Sequence, residues 1–285
     1  MISKESYIIN GKHKKSILID VSFVAEKTNL PIIIFCHGYK GFKDWGAWNL
    51  MANAFAEAGF CFIKFNFSHN GGTMEQPIDF TDLDAFGNNN YTKELDDLES
   101  VIDWISQNKE LKPIINLNNL HLIGHSRGGG IILIKAEEDK RVTTVISLAG
   151  VCDFGKRTAT AGGLAEWKNT GVKYVLNGRT KQQMPHFYQF YEDFIKNEER
   201  LTIKRPVSNL KTPHLIIQGD NDTSVLIDEA HELHEWNPQS QLEVIPDANH
   251  VFNAKHPWDS NTLPTELQKV IDCSVSFIKT TRKLK

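Results

Sequence analysis

The chain has 285 residues, 40% of them hydrophobic and 24% charged, which is enough apolar material for one large core. A net charge of -3 leaves no basic footprint for nucleic acid, and no segment approaches the ~18 apolar residues of a membrane helix, so neither nucleic-acid binding nor membrane insertion is expected. The four cysteines (Cys36, Cys61, Cys152, Cys273) form no CxxC pair and MISKESYIINGKHKK lacks the apolar stretch of a signal peptide, so a cytoplasmic location is expected.

The predicted elements alternate. Tyr7 to Asn10 and Ser16 to Val24 read as an antiparallel hairpin across a polar, Gly-containing turn. PIIIFCHG (Pro31 to Gly38) is a buried-type strand, WNLMANAFAEAGF (Trp48 to Phe60) has helical spacing, and CFIKFNF (Cys61 to Phe67) is a strand again. Between Tyr91 and Asn108, Leu95, Leu98, Ile102 and Ile105 recur at three- and four-residue steps, which predicts an amphipathic helix. Strand Leu120 to Ile123, helix Gly129 to Glu138 and strand Val142 to Leu148 follow. Further on come strand His214 to Gln218, helix Ile227 to Trp236, strand Leu242 to Ile245 and a helix over Thr265 to Lys279. This rhythm predicts one α/β domain over residues 1–285, with a mostly parallel eight-stranded sheet and helices on both faces.

The rhythm breaks between Val151 and Pro206. A structureless loop of that length is improbable in a compact domain, so residues 151–206 are expected to form a small lid or cap insertion. It contains HFYQFYEDF, in which Phe187, Tyr188 and Tyr191 are candidate substrate contacts, although aromatic residues so crowded more often form a small core.

NLHLIGHSRGGGIILI, residues 119–134, carries the chemistry. A serine hydroxyl is a poor nucleophile unless a base takes its proton. The pentapeptide Gly124-His125-Ser126-Arg127-Gly128 lies between a strand and a helix, where a sharp turn with small flanking residues would expose Ser126. The following helix would aim its positive end at an oxyanion beside Ser126. A base is offered downstream by His250 in PDANHVF, and an acid by Asp220 or Asp222 in HLIIQGDNDTSVL, with Asp153 after the preceding strand a further candidate.

The order Ser126, Asp222, His250 is that of α/β-hydrolases, and the sequence resembles that superfamily over nearly its whole length. The matching motifs are HGYKG (His37 to Gly41), GHSRG, GDNDTSV (Gly219 to Val225) and NHVF (Asn249 to Phe252). The resemblance implies an α/β-hydrolase fold and selects Asp222 as the acid, three residues after Gly219. It implies an oxyanion hole from the backbone N–H groups of Tyr39 and Arg127. The layout is most similar to dienelactone hydrolase-like and feruloyl esterase-like carboxylesterases, although FNFSHNGGT (Phe65 to Thr73) departs from their usual pattern and Leu226 stands where a proline is common. His69 in that loop is a further candidate pocket residue.

The expected activity is hydrolysis of small-molecule carboxylic esters through a Ser-His-Asp triad and an acyl-enzyme, by a monomer or homodimer. The chemistry requires no metal and no organic cofactor. Alternatives are an aminopeptidase or amidase of the same fold, or a non-catalytic binding protein.

Overall fold

The structure, a computed structural model, describes residues 1–158 and 163–283. It begins with β1 (Ile2–Asn10), β2 (Ser16–Val24), β3 (Leu30–Cys36), α1 (Trp48–Glu57) and β4 (Cys61–Asn66). Then come α2 (Leu83–Gly87), α3 (Tyr91–Gln107), β5 (Ile115–His125), α4 (Arg127–Glu138) and β6 (Val142–Leu148). Between β6 and β9 lie α5 (Phe154–Thr158), α6 (Leu164–Thr170), β7 (Val172–Leu176), β8 (Gln183–Phe187), α7 (Gln189–Lys196), α8 (Glu198–Leu201) and α9 (Lys204–Asn209). The chain ends with β9 (His214–Gly219), α10 (Ile227–Trp236), β10 (Gln241–Ile245) and α11 (Thr265–Lys283).

Among the described residues the large sheet has eight strands in the order β1-β2-β4-β3-β5-β6-β9-β10. The two junctions made by β2 are antiparallel and the others parallel. This is the mostly parallel eight-stranded sheet predicted from the alternation. Strands covered on both faces read as unbroken apolar runs, and every residue of β3 is buried. Its side chains alternate between two cores. Ile32, Ile34 and Cys36 join Leu95, Leu98, Ile102 and Ile105 of α3 on one face. Ile33 and Phe35 join Met51 and Phe55 of α1 and Leu267, Val270 and Ile271 of α11 on the other. Helix α3 begins where the Asn90 side chain accepts from the Lys93 N–H at 2.9 Å, one of the donors a helix start leaves without an intrahelical partner.

Strand order reverses direction between β3 and β5, and in open α/β sheets ligands bind outside the carboxyl ends of the strands at such a point. The loops after β3, β5, β9 and β10 carry Tyr39, Ser126, Asp222 and His250. The stretch after β6, expected to form a small lid or cap, is built of short elements. A two-stranded antiparallel sheet of β7 and β8 occupies its middle. Residues 159–162, inside the expected insertion, lie outside the described residues. Helix α7 is tied to the start of α3, with Gln189 bonded to the Asn90 side chain at 2.8 Å and Asp193 accepting from Thr92 at 2.9 Å.

Candidate active site

Ser126 has φ 56° and ψ -120°, in the left-handed half of backbone space that costs a non-glycine residue ~1–3 kcal/mol. The neighbouring glycines show why the turn tolerates nothing larger. A Cβ at Gly124 would stand 2.2 Å from the Gly128 carbonyl oxygen, and one at Gly128 would stand 2.3 Å from that of Cys36. One at Gly38 would stand 2.8 Å from the Cβ of Ser126 itself. The loop after β3 and the elbow after β5 therefore pack backbone on backbone. Gly128→Ala should lower the unfolding free energy by about 3 kcal/mol, because β3 cannot move aside without breaking its ladder. Gly130→Ala should cost less, since its Cβ would meet the side-chain tips of Ile203 and Phe154. Urea denaturation of both variants checks the ranking.

His250 and Asp222 form a pair, with Nδ1 to Oδ2 at 2.8 Å. The other carboxylate oxygen of Asp222 accepts from the N–H groups of Ser224 at 2.7 Å and Val225 at 3.0 Å, while Gln218 Nε2 donates to Oδ2 at 3.1 Å. Burial alone would raise the Asp222 pKa, but the His250 imidazole and the two backbone donors outweigh it and hold the carboxyl below its ordinary value. Asp222 is thus a fixed anion against one ring nitrogen of His250. Asp220 instead accepts from the Asp247 N–H at 2.7 Å and braces a turn, and Asp153 caps the local backbone at Lys156.

A neutral histidine supports this pair. His125 is buried, and burial brings its pKa down to about 3, so the ring bonded to the His250 carbonyl oxygen at 2.8 Å is an uncharged Nε2–H donor. His37, lowered by burial to about 4, bridges the Gly38 carbonyl (2.9 Å) and the Phe67 N–H (3.3 Å) and shapes the loop before Tyr39. Neither role was legible beyond the motif in which each histidine stands.

Two cavities meet at Ser126, His250, Tyr39 and Lys40. One of about 160 Å³ is lined by Trp45, Trp48 and Val251. The other, of about 550 Å³, is bounded by Tyr91, Arg127, Phe154, Lys173, His186 and Phe190. The structure therefore brings together Ser126, His250, Tyr39 and Arg127 of the predicted site, with Asp222 behind His250.

It does not bring in four other candidates. His69 is buried against Ser68, Oγ to Nδ1 at 2.8 Å, and lines a separate cleft with Lys12 to Lys15. Phe187 ends β8 and fills the space beside Gly87. Tyr188 and Tyr191 pack on Trp167, with ring centroids 5.6 and 6.4 Å away. A strand-to-helix change between Phe187 and Gln189 moves these rings outward and turns His186 and Phe190 to the cavity instead. The signal was present in HFYQFYEDF, but which of its rings face inward depends on where the period changes.

Fold and site together define an alpha/beta hydrolase. The alpha/beta hydrolase fold family matches residues 31–182, and the chain belongs to it. Over 146 residues it is 31% identical to an uncharacterized 31.7 kDa protein in the traX-finO intergenic region of Escherichia coli. That match covers 50% of this chain and 45% of the other, so the chain matches about half the length of that relative. Similar folds include Est1E from Butyrivibrio proteoclasticus, 15% identical, with a TM-score of 0.69 over 98% of this chain and 99% of that one. Dienelactone hydrolase from Anabaena variabilis is 16% identical, with a TM-score of 0.62 over 97% and 98%. Among the described residues no helix is long and apolar enough to cross a membrane.

Proposed function

We propose that this alpha/beta hydrolase cleaves carboxylic esters through Ser126, His250 and Asp222. The observation that carries the reading is the 2.8 Å Asp222–His250 pair beside a serine held at positive φ, with Ser126 and His250 lining the same cavities. Ser126 Oγ attacks the ester carbonyl as His250 Nε2 takes its proton. The N–H groups of Tyr39 and Arg127 hold the oxyanion; Arg127 is the first residue of α4, where a helix leaves its N–H without an intrahelical partner. His250 then gives its proton to the leaving alkoxide, which departs as the alcohol. Water, deprotonated by His250, releases the carboxylic acid from the acyl-serine. Each cavity takes one arm of the ester, and the segment between β6 and β9 acts as a cap over the larger one.

The test is hydrolysis of 4-nitrophenyl acetate and butyrate beside the matched 4-nitroanilides, with intact-protein mass after a fluorophosphonate. Ester turnover well above anilide turnover, together with one phosphonyl group on the Ser126 peptide, is expected. Faster anilide cleavage would favour the amidase reading, and an unlabelled Ser126 with no turnover would leave a binding protein.

A further inference from the structure

Both oxyanion donors of the proposed mechanism have side chains that touch the cap. The loop after β3 turns tightly from Gly38 to Gly41, closed by the Gly41 N–H on the Gly38 carbonyl at 3.0 Å. Lys40 takes φ 55°, the sign that the third position of a type II turn requires and that glycine usually supplies. A lysine in that conformation persists where its surroundings over-determine it. Here the surroundings include the side chain of the preceding residue, Tyr39. Its hydroxyl is bonded to Nε2 of His186 in β8 at 2.7 Å. Its ring lies 5.5 Å from the His186 ring and 5.9 Å from that of Phe86 in α2. Burial raises the Tyr39 pKa to about 12 and lowers that of His186 to about 3, so a neutral phenol meets a neutral imidazole.

Arg127 is enclosed by the same cluster. Its Cζ stands 4.6 Å from the ring centroid of Tyr39, 5.2 Å from that of Tyr91 in α3 and 5.5 Å from that of Phe190 in α7. Its charge is matched by Glu94 of α3, Nη1 to Oε1 at 3.2 Å. His186 and Phe190 form one corner of the cap, with their rings 5.9 Å apart, and this corner is fixed in place. Trp167 Nε1 donates to the His186 carbonyl at 2.7 Å, and Gln189 Nε2 donates to the Asn89 carbonyl at 2.9 Å. The Phe187 ring fills the space over Gly87, where an added Cβ would come within 2.9 Å of it. Cap, α3 and the turn after β3 thus share one packed cluster, with both donor residues inside it.

We infer that His186 is a positioning residue: through the Tyr39 hydroxyl it holds the Gly38–Gly41 turn, and with it the Tyr39 N–H, in place to receive the oxyanion. The inference rests on the esterase reading for what that N–H does, but not for the tether itself. The cap is then part of the oxyanion hole as well as a cover over the larger cavity. Loss of one cap side chain slows the chemical steps by letting a donor drift, whatever the size of the ester.

Tyr39→Phe, His186→Phe, the double variant and His186→Gln are compared on 4-nitrophenyl acetate and on the smaller vinyl acetate, with melting temperatures measured alongside. Tyr39→Phe loses one oxygen and keeps its ring, so it decides the matter even where His186→Phe unfolds. Each single phenylalanine variant should lower kcat about tenfold on both esters, less than the ~10²–10³ that loss of a whole oxyanion donor costs. KM should change little, because acylation and deacylation use the same donors. The double variant should be no slower than either single one, since both remove the same bond. His186→Gln, which keeps an acceptor near the place of Nε2, should recover most of the rate. A raised KM at unchanged kcat, losses that add in the double variant, a glutamine variant as slow as the phenylalanine one, or no loss at all would overturn the inference and leave the esterase reading standing. If wild type hydrolyses neither ester, amide exchange of the Gly38–Gly41 turn takes the place of the rate. Faster exchange in the single phenylalanine variants than in wild type keeps the tether and removes the esterase, whereas equal exchange removes both.

Discussion

Alanine at position 126 is expected to slow ester hydrolysis by about a millionfold, with the protein remaining folded. On the proposed mechanism no acyl-enzyme forms without Oγ, and His250 has no hydroxyl proton to remove. What survives comes from oxyanion donors acting on direct attack by water, a residual of about 10³–10⁴ over the uncatalysed rate. Alanine keeps the positive φ of 56°, so its denaturation midpoint should stay near that of wild type. Glycine at the same position separates the two consequences of the turn. It should be equally inactive but more stable, by about 1 kcal/mol once relieved strain is set against added freedom of the unfolded chain. Product release in single turnover and urea titration of both variants check this. A glycine variant less stable than alanine would mean that the turn is unstrained.

The fold was legible because its central strands are buried on both faces: β3 appears as an unbroken apolar run, and β4 as one interrupted only by Lys64 before it ends at Asn66. Helix α3 was legible from the spacing of Leu95, Leu98, Ile102 and Ile105, and its observed end at Gln107 is one residue from the predicted one. Strand β5 runs from Ile115, five residues before its apolar run, because Ile115 and Asn116 pair with β3 through main-chain groups that leave no hydrophobic signature. The β7–β8 hairpin was missed for a related reason. VKYVL is half-exposed and is held by its ladder with β8, the strand that packs on α2. At the site, Ser126, Asp222 and His250 stand in motifs whose spacing is fixed by backbone geometry. Lys40 and Lys173 are 133 positions apart in sequence and share a cavity only because the hairpin folds over the loop after β3. Nothing local marks either one.

Asp222→Asn is expected to reduce kcat by about 10⁴ while leaving the site assembled. The hydrogen bonds around this carboxylate say why. Two backbone N–H groups, of Ser224 and Val225, point at Oδ1, so the asparagine carbonyl must occupy that position. The amide nitrogen then replaces Oδ2, facing His250 Nδ1 and the Gln218 amide, both of which donate to an oxygen there in the native protein. A donor opposite Nδ1 favours the tautomer with its proton on Nε2, which cannot accept the proton of Ser126. The loss should therefore fall on kcat more than on KM, and fluorophosphonate labelling of Ser126 should slow in parallel. Stability should respond differently to pH. Asp222 has its folded pKa held below the ordinary value, so its contribution is present above that value and is lost as pH falls through the folded one. Asparagine has no proton to gain, and the acid limb of its stability curve should be flatter than that of wild type. A variant with near-native kcat would mean that His250 is oriented by its backbone bond to His125 rather than by the carboxylate.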